Sequence, residues 1–326
     1  MDQGILSTVG NTPLVRLDRL FPEFPARAYA KLEQFNPGGS IKDRAALNML
    51  RGKIESGELV PGRSVVVESS SGNLAIGLAQ ICAYVGIRFI CVVDPKTTRQ
   101  NLAVLAAYQA EIDMVEQPDP VTGEYLAVRR RRVRELVETV PGAYRPDQYT
   151  NPLNALAQRQ TMAEIMTELD GRVDYLFCST GTCGTLVGCA DYLRENGHPT
   201  RIVAVDAVGS AIFGHPPAPR LIPGHGASVV PPLAAAASPD EVLHVSDLDC
   251  VVGCRLLAVR EAILAGGSSG ATVAALRRRM ADLPAGSTSV LIFPDNGDRY
   301  LDTIYSDRWV TEQFGEVSHL WKGDKC

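Results

Sequence analysis

Five short runs of β-branched and apolar residues, at 64–68, 88–93, 174–178, 202–206 and 289–293, constrain this chain more than any other feature. They are apolar at nearly every position, the pattern of strands buried on both faces in a parallel sheet. Between them lie helical patterns at 73–85, 100–108, 153–169, 185–196, 255–264 and 271–280. Such alternation predicts an α/β chain with open, mostly parallel sheets covered by helices. Ligands in these folds sit beyond the carboxyl ends of the strands. The Ala- and Pro-rich piece 216–239 is the least regular stretch and reads as a surface loop.

The 326 residues allow one large domain or two medium ones, and a net charge of −5 argues against a general nucleic-acid binder. The arginine runs 129–132 and 277–279 read as solvated helix faces balanced by Glu135, Glu138 and Asp282. The eight cysteines form no C-x-x-C pair, so no metal site is expected. Cys82, Cys91 and Cys178 sit in apolar runs and read as small buried hydrophobes, a usage that suits a reducing cytosol. No basic-then-apolar leader opens the sequence and no apolar run approaches a membrane span, so a cytoplasmic protein is expected.

Chemistry concentrates in a few loops. Asn36-Pro37-Gly38-Gly39 must turn tightly, Ser40 stands at a helix N-cap position, and a helix is expected from Lys42. An amine in a first helical turn can lose its proton and form a Schiff base with an aldehyde cofactor; a solvated surface lysine is the alternative. Glu68-Ser69-Ser70-Ser71-Gly72-Asn73 joins a strand to a helix, where hydroxyls and amides make an anion cradle or simply cap the helix. Gly181-Thr182-Cys183-Gly184-Thr185 also follows a strand and opens a helix, with glycines that let N–H groups approach a phosphate. Gly266-Gly267-Ser268-Ser269-Gly270 precedes another helix. No G-x-G-x-x-G follows an early strand, which disfavours a nicotinamide dehydrogenase.

These loops, with Val9-Gly10-Asn11-Thr12-Pro13-Leu14 before them and Pro294-Asp295-Asn296-Gly297-Asp298-Arg299-Tyr300 after, resemble in order the motifs of the β-family of pyridoxal-phosphate (PLP) enzymes. That is the fold type II, tryptophan synthase β-like group that includes the cysteine synthases, and the likeness runs from about residue 6 to 306. The resemblance implies a smaller α/β domain (1–12 and 35–145), a larger one (13–34 and 146–310), a C-terminal tail (311–326), PLP in the cleft between the domains, and a homodimer. It implies Lys42 as the Schiff-base lysine and as proton carrier. Ser70, Ser71, Gly72 and Asn73 would hold the substrate α-carboxylate, and the Asn73 amide would also touch the cofactor's phenolic oxygen. Gly181, Thr182, Cys183, Gly184 and Thr185 would cup the cofactor phosphate. Ser268 would meet the pyridine nitrogen; a hydroxyl does not force that nitrogen to stay protonated, which suits β-elimination. Gln148, in Asp147-Gln148-Tyr149-Thr150-Asn151-Pro152, would be a second clamp on the carboxylate, with Tyr149 beside it. Two residues depart from the family pattern: Leu74 stands where Thr is common, and Cys183 where Gly is usual. The cup's donors survive the second change if Cys183 needs no positive φ.

The stretches Asn36-Pro37-Gly38-Gly39-Ser40, Cys91-Val92-Val93-Asp94-Pro95-Lys96, Ala211-Ile212-Phe213-Gly214, Pro223-Gly224-His225-Gly226-Ala227-Ser228 and Asp298-Arg299-Tyr300-Leu301-Asp302 resemble one subgroup more than the cysteine synthases proper. Its members feed 2,3-diaminopropionate into siderophores and antibiotics. The implied reaction is a β-replacement, O-phospho-L-serine plus L-glutamate giving N-(2-amino-2-carboxyethyl)-L-glutamate and phosphate. Both anions want fixed cations, for which Arg129 is the candidate. A cysteine synthase using sulfide with O-acetylserine or O-phosphoserine is the alternative within the family. A non-catalytic binding protein on the same fold is the alternative outside it.

Overall fold

The computed structural model describes residues 3–120, 123 and 125–322. The chain divides into two compact units, Met1–Val9 with Asn36–Asn154 and Gly10–Phe35 with Ala155–Cys326. Each has its own sheet.

The first unit carries a four-stranded parallel sheet, in the order β5 (Glu111–Met114), β4 (Arg88–Val93), β3 (Val65–Ser69), β6 (Ala143–Tyr144). Every residue of β3 is buried, Glu68 and Ser69 along with its three valines. One core gathers α1 (Lys42–Glu55), α2 (Asn73–Val85) and α3 (Arg99–Ala107) around Leu50, Ile76, Leu78, Phe89 and Leu105. A second, with Val65, Val67, Ile90 and Val92, is closed by Val133 and Leu136 of α4 (Tyr125–Thr139). Helix α2 is buried from Leu74 to Cys82, each large aliphatic side chain contributing about 1.5–3 kcal/mol by leaving water. It stops at Gly86, whose φ of 74° only glycine adopts cheaply and whose N–H caps the Cys82 carbonyl. Residues 146–154, expected in the larger domain, lie in this unit, and 10–12 and 35, expected in the smaller one, lie in the other. The short β6 pairs with β3, and the Asp147 N–H then donates to the Glu68 carboxylate.

The second unit holds a six-stranded sheet, in the order β1 (Leu14–Arg16), β2 (Arg27–Leu32), β10 (Thr288–Phe293), β7 (Tyr175–Ser179), β8 (Arg201–Ala207), β9 (Glu241–Val245). Only β1 runs antiparallel to its neighbour. Its helices are α5 (Pro152–Glu168, within which the unit boundary falls), α6 (Gly184–Glu195), α7 (Asp247–Leu256), α8 (Gly267–Arg279) and α9 (Asp307–Phe314). Helices α7 and α8 approach so closely that a Cβ on Gly253 would lie 2.2 Å from the Gly270 carbonyl oxygen. Glycine there is a packing requirement, since neither residue has a positive φ.

Four expectations change. The helix expected at 255–264 begins earlier, at Asp247, where Ser246 and Asp249 form a capping box, and 257–261 is a π turn. Helix α8 begins at Gly267, before the expected Ala271. Residues 311–322 are no loose tail: Ser306 caps α9, and Val310 and Trp321 enter the second unit's core, while 323–326 lie outside the described residues. In the stretch 216–239, Ile222 and His225 are buried, because Gly226 N–H donates to the Thr180 carbonyl and draws the segment inward. The cysteines at 82, 91, 178, 183, 189, 250 and 254 are buried, and burial pushes the thiols of Cys82 and Cys91 up to about 12. Among the described residues no helix is long and apolar enough to cross a membrane, and no His, Cys, Asp or Glu cluster could hold a metal ion.

Candidate active site

In the first unit the 36–44 stretch folds as its residues dictate. Gly39 N–H donates to the Asn36 carbonyl at 2.8 Å, and Gly39 takes φ 83°. Gly38 N–H donates to the buried Asp43 carboxylate at 2.6 Å, and a Cβ on Gly38 would lie 2.5 Å from that carboxylate. Lys42 is the first residue of α1 and half-buried. Ile41, not Ser40, is the N-cap; the Ser40 hydroxyl still accepts the Lys42 N–H at 3.2 Å.

The end of β3 leads into residues 70–73 at the start of α2. The Ser70 hydroxyl accepts N–H groups of Gly72 and Ala75, so this serine does the capping that its type favours. Ser71, Gly72 and Asn73 are half-buried, the Ser71 carbonyl is held by the Asn101 side-chain amide at 2.8 Å, and the space a Cβ on Gly72 would enter is open. Leu74 is buried in the core and offers no edge contact where the family has Thr. Gln148 is buried, its carbonyl accepting from Asn154, and the Tyr149 ring lies 4.9 Å from the Arg130 guanidinium. Burial raises the Tyr149 hydroxyl above its ordinary value, against the pull of Arg130 and Arg129.

The arginine run is not one solvated face. Arg129 turns inward, its side chain 13% exposed and its Nε 3.2 Å from the buried Asp94 carboxylate at the end of β4. Its Nη1 is buried with no hydrogen-bond partner among the described residues. Arg132 pairs with Asp113 of β5, whereas Arg131 stays in solvent near Glu135.

In the second unit the 181–185 turn joins β7 to α6. Thr180 is pinned by its hydroxyl to Asp206 at 2.8 Å, and Gly181 passes so near the Gly224 carbonyl oxygen that a Cβ would lie 2.9 Å from it. Thr182 is buried, Gly184 and Thr185 open α6, and the first-turn N–H groups of that helix point out of its end, the arrangement an anion takes up. Cys183 has φ 65° and ψ 0°, so a non-glycine residue occupies glycine's region at the position of this turn where the family pattern changes. The turn keeps its shape, but with left-handed strain. Cys183→Ala is therefore expected to be about 1 kcal/mol less stable than Cys183→Gly, the reverse of the usual order, as urea midpoints of the two variants would show. Ser268 is buried in the first turn of α8, in a loop walled by the Asp295 carboxylate, which accepts the Tyr300 hydroxyl at 2.5 Å.

The first unit thus carries a half-buried lysine in a first helical turn and a hydroxyl-and-amide cradle, and the second carries a helix-opening glycine turn and a buried serine at a helix start. The family model described as pyridoxal-phosphate dependent enzyme matches residues 5–295. A protein of Ralstonia nicotianae named N-(2-amino-2-carboxyethyl)-L-glutamate synthase is 45% identical over 309 residues, 94% of this chain and 91% of that protein. One of the same name from Cupriavidus metallidurans is 45% identical over 311 residues, again 94% and 91%. Among solved structures, an O-ureido-L-serine synthase superposes with a TM-score of 0.85 at 32% identity, covering 98% of each chain. The O-acetylserine-dependent cystathionine β-synthase of Helicobacter pylori superposes at 0.85 with 30% identity, covering 94% of this chain and 99% of its own. This chain belongs to the pyridoxal-phosphate dependent enzyme family, in its fold type II, cysteine synthase-like branch.

Proposed function

We propose that this enzyme replaces the phosphate of O-phospho-L-serine with the amino nitrogen of L-glutamate, giving N-(2-amino-2-carboxyethyl)-L-glutamate and phosphate, a precursor of L-2,3-diaminopropionate. The observation that carries this reading is 45% identity across 94% of the chain to two synthases of that name.

When bound, pyridoxal phosphate supplies the electron sink that acidifies Cα and lets the Cβ substituent leave. In the proposed assignment Lys42 carries the cofactor, takes the Cα proton through its Nζ, and returns a proton to Cα after the new bond forms. Residues 70–73 and Gln148 hold the substrate α-carboxylate and orient the Cα–H bond. Gly181, Thr182, Cys183, Gly184 and Thr185 would hold the cofactor phosphate, and Ser268 would serve the ring nitrogen. At Cβ the C–O bond breaks with its electron pair leaving on phosphate, the glutamate nitrogen bonds to the same carbon, and that nitrogen sheds its proton. Arg129, turned inward with a buried donor unfilled, supports a role toward one of the two anions. A homodimer in the cytoplasm is the proposed setting, on the habit of the family and the buried cysteines.

The discriminating measurement is the visible spectrum of the purified enzyme with O-phospho-L-serine, followed by L-glutamate or sulfide. The substrate is expected to shift the cofactor band, glutamate to restore it with release of phosphate, and sulfide to leave it shifted. Restoration by sulfide alone would make the enzyme a cysteine synthase.

A further inference from the structure

Glu68 is an unexpected residue to find 2% exposed in a strand of valines. Strand β6 pairs with β3 only at Val65↔Ala143 and Val66↔Tyr144, after which the chain leaves the sheet. The ladder is continued by a side chain. Oε2 of Glu68 accepts the Asp147 N–H at 2.7 Å, across 79 residues of sequence, while Oε1 accepts the Ser69 N–H at 2.8 Å. Arg145 faces the same carboxylate, its Nε 3.7 Å from Oε1, and its Nη2 lies 3.4 Å from the Asp147 carboxylate. Asp147 takes φ 49°, a left-handed conformation that costs a non-glycine residue free energy and persists only where its surroundings impose it. From there the loop is tied residue by residue. The Asp147 carboxylate accepts the Tyr149 N–H, its carbonyl accepts the Asn151 N–H, and the Gln148 carbonyl accepts from the Asn154 amide. Two residues beyond Glu68 on its own strand begin Ser70, Ser71, Gly72 and Asn73.

We propose that Glu68 is a positioning residue whose carboxylate holds the Gln148–Tyr149 loop in fixed register with residues 70–73, so that both arms meet one substrate carboxylate. The inference rests on the reading of those two segments as the carboxylate-binding surface. An apolar residue could fill the same space but would leave two backbone N–H groups without acceptors. Burial raises the Glu68 carboxyl above its ordinary value, and Arg145 and the two N–H donors oppose that rise.

The test is Glu68→Gln, which keeps the shape but sets an NH2 group against one of the two N–H donors. The KM for O-phospho-L-serine is expected to rise about 10- to 100-fold, the worth of one charge-assisted hydrogen bond, with kcat changed far less. Amide hydrogen exchange should quicken in residues 145–151 and at Ser69 and nowhere else, and the cofactor band should be unchanged. Gln148→Ala should raise KM by itself, and adding Glu68→Gln to it should add little. Glu68→Asp, which keeps the charge but reaches only one donor, should raise KM less, and it carries the test if the glutamine variant fails to fold. Unchanged KM and exchange in the Glu68 variants, with KM raised by Gln148→Ala, would overturn the positioning role and leave the carboxylate surface standing. Unchanged KM in both Gln148→Ala and Ser71→Ala would instead remove the surface on which the inference rests.

Discussion

Lys42→Ala is expected to lower turnover at least about 10³-fold, because one substitution removes both the cofactor-bearing amine and the group that moves the Cα proton. General acid–base catalysis alone is worth about 10²–10⁴-fold, and no histidine of this chain is assigned the proton in its place. The variant should fold. The turn before α1 is built from the Gly38 N–H to Asp43 and Gly39 N–H to Asn36 bonds, and the Ser40 hydroxyl accepts the residue-42 backbone N–H, which alanine retains. The melting temperature should therefore move by a few degrees at most. Two measurements check the assignment. Single-turnover phosphate release reads the rate. Borohydride reduction followed by peptide mass analysis should place the cofactor on the Lys42 peptide of the parent enzyme and on no peptide of the variant. Retention of turnover within tenfold, or a label on another lysine, would take the role from Lys42.

What the sequence shows of this molecule follows from how far apart the cause and the residue lie. Strands β3, β4, β7, β8 and β10 are legible because burial on both faces writes itself as a run of consecutive apolar residues with no polar alternation. Strand β2 is hidden, since Arg27 and Lys31 interrupt its apolar residues and the carboxylate partners of Lys31 lie more than 130 residues downstream. The start of α7 carried a readable signal, Ser246 with Asp249 three residues on, but its acidic opening masks the apolar stripe. The inward turn of Arg129 could not be read from a run of four arginines, because what selects it is Asp94 at the end of a strand far from it in sequence. The motif loops stood out as glycine, serine and asparagine clusters, whereas the residue that ties two of them, Glu68, looks like any strand-end carboxylate until Asp147 is placed beside it. The left-handed Cys183 is the converse: a glycine would have announced the conformation, and the cysteine conceals it.

The largest stability effect is expected at Lys31, a fully buried cation in β2. Its Nζ donates to the Thr12 carbonyl at 2.6 Å and lies 3.0 Å from Glu164 Oε2 and 3.2 Å from Glu168 Oε1. The two carboxylates are not equivalent. Glu164 is 9% exposed, while Glu168 is 43% exposed and can be hydrated without its partner. Lys31→Met keeps most of the stem and its packing but strands the Glu164 charge, and breaking a buried pair from one side costs about 3–5 kcal/mol. For a unit of this size that corresponds to a fall of roughly 10 °C in melting temperature. Removing the stranded charge should reverse most of the loss. Lys31→Met with Glu164→Leu is expected to return to within about 1–2 kcal/mol of the parent, because replacing both members of a buried pair by apolar groups is often nearly neutral. The Asn11 N–H that Glu164 also accepts is on an exposed residue and can turn to water. Urea midpoints of the parent, single and double variants read the two terms separately. A single variant as stable as the parent would mean that the pair contributes nothing. Equal losses in single and double variants would assign the cost to the abandoned Thr12 carbonyl rather than to the stranded charge.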